Sequence, residues 1–421
     1  MPVLSLGHFD AGAAPPNWTA YLANYHEASM RCDAFRLDAS GGWQKPRAAV
    51  GASVAQVQEK LVRLGYLEAA QVDGIYGYRT QAAVHLFQEH ERTVGGKPEL
   101  GYADGKAGPR TCAAIDAALA ASTPCQWTTG TRQAEADAWL ALLEAVRDAY
   151  RGEFAQRYPT LFERPSDTLP TADWQLGDAR IQLIGIRRGA WAASLDNQGK
   201  RMNNDVFVAI AGGQVMTFFG STDPNPGMAS RRDIPFLCKG QHRYRFGFHR
   251  LAGGGAKSYR ALRPAAKGVR VLRDEDFDRM PSAIDRLDPR PVTDINIHWS
   301  GRGTSSWSAG CQVVAGAVYQ NQRGDIVDCW GHAAIGYAQL AQHRNRGAYD
   351  TLMSWLSVCA DDITTRSRVP YTLIDEDDLA SLSPALHERA HRAFAGAIKA
   401  VARNDDSVRR LVASRAPNLL A

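Results

Sequence analysis

Apolar and polar residues alternate along this chain with two different periods, and the change of period divides it. Val54, Val57, Leu61 and Leu64 recur at helical spacing, and Gly65 ends that run. Ala83, Val84 and Phe87, then Ala113, Ala114 and Ile115, predict two more helices. Residues 134–154 carry an apolar stripe of Trp139, Leu140, Leu143, Val146 and Tyr150, the pattern of a packing helix or spacer. Pro159, Pro165 and Pro170 then mark a linker. From about Ile181 the period shortens to that of strands. Residues 206–210, a Gly212-Gly213 turn and residues 215–219 predict a hairpin of apolar strands. Residues 240–249, 258–262 and 295–298 extend the β region, and 369–374 closes it before charge resumes at Asp375. Residues 384–413 return to a helical pattern.

This pattern predicts an α+β multidomain chain. Residues 1–51 form an extension without periodicity, 52–122 a small three-helix module, and 123–172 a helical spacer and linker. Residues 173–380 form a mainly β domain with flanking helices, and 381–421 a C-terminal helical segment. With 421 residues there is room for two or three domains. The net charge of +5 suits an anionic polymer slightly and lacks the dense basic patch of a nucleic-acid binder. No apolar run is long enough to span a membrane.

The chemistry concentrates in Ile295-Asn-Ile-His298-Trp-Ser-Gly-Arg-Gly-Thr-Ser-Ser-Trp-Ser308-Ala-Gly310-Cys311. A thiol is strongly nucleophilic only as the thiolate, and a nearby imidazole is the usual means of making one. Alternation puts His298 on the strand face opposite Ile295 and Ile297, and a loop through Gly310 can return Cys311 beside it. Backbone amides at that turn are candidates for holding an oxyanion. Against this stands the common fate of cysteine as a small buried hydrophobe, with Val313 and Val314 following at once.

The Ser-Ala-Gly-Cys context resembles the active-site motif of the L,D-transpeptidase superfamily, in which a His precedes a Ser-x-Gly-Cys segment. The resemblance implies His298 as general base, Cys311 as nucleophile, and Ser308 and Gly310 as the loop. Ala309 and Val313 depart from the usual His and basic or amide residue. The short gap between His298 and Ser308 looks more like the divergent branch that includes interbacterial toxin effectors. In that branch a strand ending in Gly-x-His forms a substrate-side wall, which makes His249 and Tyr259 candidates for substrate or supporting contacts, with Trp307 beside them. His242 alternates poorly and reads as a surface residue.

Upstream, Asp73-Gly-Ile-Tyr-Gly-Tyr-Arg-Thr80 returns as Asp104-Gly-Lys-Ala-Gly-Pro-Arg-Thr111, each leading into a helix that its Thr is placed to cap. With Val57-Gln58, Leu61 and Leu64-Gly-Tyr-Leu67, this pair resembles the peptidoglycan-binding domain, with Asp73, Tyr76 and Arg79 as groove candidates. The two resemblances together imply a cysteine enzyme acting on the L,D bond of peptidoglycan stem peptides, without metal or cofactor. A type VI effector with a secretion-apparatus partner and a cognate immunity protein, a phage lysin, and a chain whose leader has been trimmed all fit a start without signal-peptide character. Site of action is the periplasm or cell wall in each case. Two other classes fit the same modules: a zinc-dependent wall peptidase or amidase with His242, His249 and His298 as ligands, and an inactive wall-binding structural protein. Seven cysteines leave one unpaired if the rest bridge, and Cys112 with Cys125 is a candidate local pair. His387 and His391 lie one turn apart but lack a third ligand.

Overall fold

In the computed structural model, residues 2–26, 46–128, 133–177, 180–188, 203, 205–225, 233–249, 258–277, 280–282, 284–302, 306–340 and 344–380 are described. The expected helix at 384–413, with His387 and His391, lies outside them. The chain begins with β1 (His8–Phe9), α1 (Trp18–Ala23) and β2 (Arg47–Ala48), followed by three helices, α2 (Val54–Arg63), α3 (Tyr78–Thr93) and α4 (Pro109–Ala120). The extension packs on these helices, with Leu4 and Leu6 in their core. Asp10 caps α2, its carboxylate accepting from Val54 N at 2.7 Å, Ala55 N at 2.9 Å and Ser53 Oγ at 2.8 Å.

The repeated Asp-Gly turns share one construction. Gln58 Oε1 accepts from the amides of Asp73 and Gly74, while Nε2 donates to Asp73 Oδ1 and Thr80 Oγ1. Gln88 does the same for Asp104, Gly105 and Thr111. A buried glutamine on each preceding helix thus satisfies the polar groups of the turn that follows. Thr80 and Thr111 are therefore not caps. Gly77 and Gly108 hold the N-cap positions, and the hydroxyls bond inward to the glutamines.

The long helix α5 (Gln133–Arg157) leads to a strap and then to the strands β3 (Ile181–Arg187), β4 (Asp205–Ala211), β5 (Gln214–Ser221), β6 (Pro235–Leu237), β7 (Gly240–His249), β8 (Tyr259–Pro264), β9 (Val271–Arg273), β10 (Arg286–Leu287), β11 (Ile297–Trp299), β12 (Gln312–Gln320) and β13 (Ile326–Asp328). The short α6 (Tyr337–Leu340), α7 (Ala348–Cys359), β14 (Val369–Asp375) and α8 (Glu376–Ala380) complete the described chain. Strands run β11-β8-β7-β14-β3-β4-β5-β12, and the parallel pairing of β12 with β11 closes an eight-stranded barrel, with β13 appended. The β4–β5 hairpin turns at Gly212 and Gly213, both at positive φ (55° and 70°), where side chains would be strained. Tyr371 Oη reaches Gln312 Oε1 at 3.0 Å, joining two strands that are not neighbours. One face of α5 covers Ile184, Ile186, Val206, Val208 and Ile210 in a second apolar cluster.

The linker expected around the three prolines is a packed strap. Asp167 Oδ2 accepts from the amides of Ala266, Lys267 and Gly268 at 2.7–2.9 Å, and Leu169 N bonds Gln241 O. Three amides on one carboxylate outweigh the freedom that the prolines suggested. The helical module is likewise built into the body. Twelve of the sixteen residues of α3 are buried, and α7 packs between it and the barrel strands β4, β5 and β12. One apolar cluster runs from Leu4 through α3 and α7 into the barrel.

Candidate active site

Parallel pairing of β11 with β12 sets Ile297 opposite Gln312 and His298 opposite Val313. Because successive strand residues point to opposite faces, Asn296, His298, Cys311 and Val313 share one face. Ile297 and Trp299 occupy the other and enter the core. The register thus places Cys311 beside Asn296, two residues before His298. Tyr259 opposes His249 across β7 and β8, and alternation brings both to the same face.

His298 is 4 % exposed. Its Nδ1 lies 2.8 Å from Trp299 O and 3.3 Å from Tyr259 Oη. A carbonyl can only accept, so Nδ1 carries the proton and Nε2 is the basic nitrogen. His249 stacks on this ring with centroids 3.8 Å apart and 17° between planes, and its Nδ1 lies 3.3 Å from Asn296 Nδ2. The imidazole is thereby fixed in orientation from three sides.

Cys311 is only partly buried. Its thiol donates to Asp294 O at 3.1 Å and accepts from Asn296 N at 3.3 Å. Burial pushes the thiol up to about 11; the Asn296 amide opposes this, and Asp294 adds to it. The resting group is a neutral thiol. Ser308 Oγ donates to Cys311 O at 2.7 Å and accepts from Gly310 N at 3.0 Å, so it braces the loop and not the imidazole. The Gly310 amide, expected as an oxyanion donor, is thus engaged by Ser308. Gly310 also permits close packing: a Cβ there would lie 2.6 Å from Pro235 Cγ. Trp307 is half-buried, edge-on to Trp299 at 5.8 Å.

Support comes from residues that the sequence did not single out. Asn225 N donates to Ser308 O at 2.6 Å, and Asn225 Nδ2 to Ser306 O. The buried Arg187 holds that turn through Asp223 at 2.7 Å and ties it to Asp375 at 2.9 Å. Asn296 had a visible signal, since it alternates in phase with His298. Arg187 and Asn225 had none, because their partners are far away in sequence.

Several expected residues serve other ends. His242 is fully buried, not at the surface: Nε2 lies 2.8 Å from Cys238 O and Nδ1 3.0 Å from Thr168 Oγ1, and burial pushes its pKa down to about 3. Its strand is covered on both faces, which erases the alternation that marks an exposed residue. It sits seven positions along β7 from His249, so the zinc set His242, His249 and His298 is not assembled. Among the described residues, the cluster of three or more potential ligands is Asp274, Asp276 and Asp285 instead. Cys112 and Cys125 are free thiols. In the helical module, Tyr76 is fully buried and donates to Gly105 O, while Asp73 is bonded to Gln58. Arg79 Nη1 donates to Ala360 O at 2.7 Å. Tyr76 is thus part of the module's core and Arg79 reaches the end of α7, while Asp73 is exposed.

A family model described as a putative peptidoglycan binding domain matches residues 50–95. The N-terminal region carries a peptidoglycan-binding domain. Its matched span contains α2, the first Asp-Gly turn and α3. A solved structure of a fused Zn-dependent amidase/peptidase/peptidoglycan-binding domain-containing protein from Clostridium acetobutylicum is 12% identical, over 76% of this chain and 94% of that one. Its TM-score is 0.22, too low for that likeness to carry an argument. No curated protein matches. Among the described residues no helix is long and apolar enough to cross a membrane.

Proposed function

We propose that this protein is a peptidoglycan-modifying cysteine enzyme acting on the L,D bond of stem peptides. The supporting observation is that the parallel register of β11 and β12 brings Cys311, the residue before β12, to the face of His298, whose Nδ1 is committed to a carbonyl. His298 Nε2 takes the thiol proton as the sulfur attacks the carbonyl carbon of the diamino acid. A C–S bond forms, and the Cys311 amide is our candidate for holding the oxyanion. The C–N bond to the terminal D-Ala then breaks, and the imidazolium returns its proton to the leaving amine. Water resolves the thioester to a carboxylic acid and regenerates the thiol, or an amine resolves it to a new amide. Asn296, His249 and Tyr259 orient the base, and no step requires a metal. The peptidoglycan-binding domain keeps the enzyme on its polymer, which raises the local substrate concentration.

The test is mass spectrometry of muropeptides after the purified protein meets sacculi containing diaminopimelate. The expected result is loss of one D-Ala mass from tetrapeptides, abolished in Cys311→Ala while sacculus binding persists. Cleavage that continues in Cys311→Ala would remove the thiol from the mechanism. Delivery as a secreted effector, with an immunity partner, is a further proposal, and it predicts toxicity when the protein is directed to the periplasm of a susceptible cell.

A further inference from the structure

We infer that Arg263 is the receptor for the terminal carboxylate of the substrate, and that Asp294 occupies that position in the resting enzyme. The inference rests on the thiol reading above. In the antiparallel pairing of β8 with β11, Ile297 opposes Leu262, so Arg263 comes opposite Asn296, on the face that carries Cys311. Arg263 Nη2 lies 3.5 Å from Asp294 Oδ1, and the backbone oxygen of the same Asp294 accepts the Cys311 thiol at 3.1 Å. One residue therefore links the guanidinium to the sulfur.

The chemistry of the bond to be cut requires a cation at that place. In a stem peptide ending in D-Ala, the free carboxylate is three bonds beyond the scissile carbonyl carbon, within about 4 Å by standard bond lengths. A carboxylate so close to an attacking thiolate raises its energy unless a cation answers it. The guanidinium side chain is 12 % exposed, and its Nη1 donates to Phe248 O at 3.3 Å, which anchors it. The Asp294 side chain is 83 % exposed. A long ion pair with a solvated carboxylate is weak and exchangeable. A substrate carboxylate can displace Asp294 and gain a charge-assisted pair with a guanidinium that is already held in place.

The experiment compares a synthetic stem tetrapeptide ending in D-Ala carboxylate with the same peptide ending in carboxamide. Wild-type enzyme, Arg263→Gln, Arg263→Lys and Asp294→Asn are used, with Cys311→Ala as blank. Wild type is expected to prefer the carboxylate by roughly 10- to 100-fold in kcat/KM, the range for a hydrogen bond to a charged group. Arg263→Gln should abolish that preference, its loss in kcat/KM falling mainly on the carboxylate peptide, and Arg263→Lys should restore part of it. Asp294→Asn should lower KM for the carboxylate by roughly 2- to 5-fold, the scale of a solvated ion pair. A wild type that cleaves both peptides equally overturns the inference and leaves the thiol reading intact, and that result needs no variant to fold. Arg263→Gln slowing both peptides alike marks a structural role and also overturns it. No cleavage of either peptide by wild type overturns both readings.

Discussion

At Cys311 two effects oppose each other. Burial and Asp294 hold the thiol neutral, while the Asn296 amide, Ser308 and Arg263 favour its ionisation. With the thiol pushed up to about 11, the thiolate fraction near neutral pH is small and rises about tenfold for each pH unit. Alkylation of Cys311 by iodoacetamide should therefore accelerate steadily from pH 7 towards 10, and it is followed by intact mass. A plateau already below pH 8 would mean that Cys311 and His298 rest as a thiolate–imidazolium pair. The strand carrying His298 and the loop returning the chain to Cys311 were legible in the sequence because they are close neighbours along it. The bracing by Asn225 and Arg187 was not, because those partners meet only when β3, β5 and β12 close into one barrel.

The decisive element is α3. Its face of His85, Glu89 and Arg92 turns towards the barrel, where Tyr319 Oη donates to Glu89 Oε1 at 2.8 Å. Burial opposes ionisation of Glu89, but Arg92 at 2.6 Å outweighs it and holds the carboxyl below its ordinary range. Tyr319→Phe removes one donor from a buried carboxylate and should cost about 1–3 kcal/mol, read from urea unfolding. An unchanged midpoint would show that this bond adds nothing to the seam. Periodicity located α3 correctly, yet its apolar stripe alone could not reveal that its polar residues are buried too. The two Asp-Gly turns were recognised as copies, but the glutamines that hold them, Gln58 and Gln88, became apparent only once the helices were placed beside the turns.

For the whole molecule, the shared core implies that the peptidoglycan-binding domain and the barrel unfold together. Trp355 Nε1 donates to Trp127 O at 2.8 Å, and Asn345 Nδ2 to Ala103 O at 2.7 Å, across a continuous apolar cluster. Calorimetry should show one transition with equal calorimetric and van't Hoff enthalpies. Two resolved transitions would mean that the contacts along α3 and α7 do not couple them. The sequence by itself determined what local chemistry dictates: the helices and their turns, the Gly212-Gly213 hairpin, the strand carrying His298 and the loop leading to Cys311. These depend on residues within a few positions of each other, where period and turn type are decisive. Tertiary structure alone decided that the prolines form a strap, that His242 and Tyr76 are buried, that Arg79 bonds Ala360 O, and that Arg263 and Asp294 stand near the thiol. Each of those depends on which strand or helix becomes a neighbour, and strand order and register are set by packing of the whole barrel.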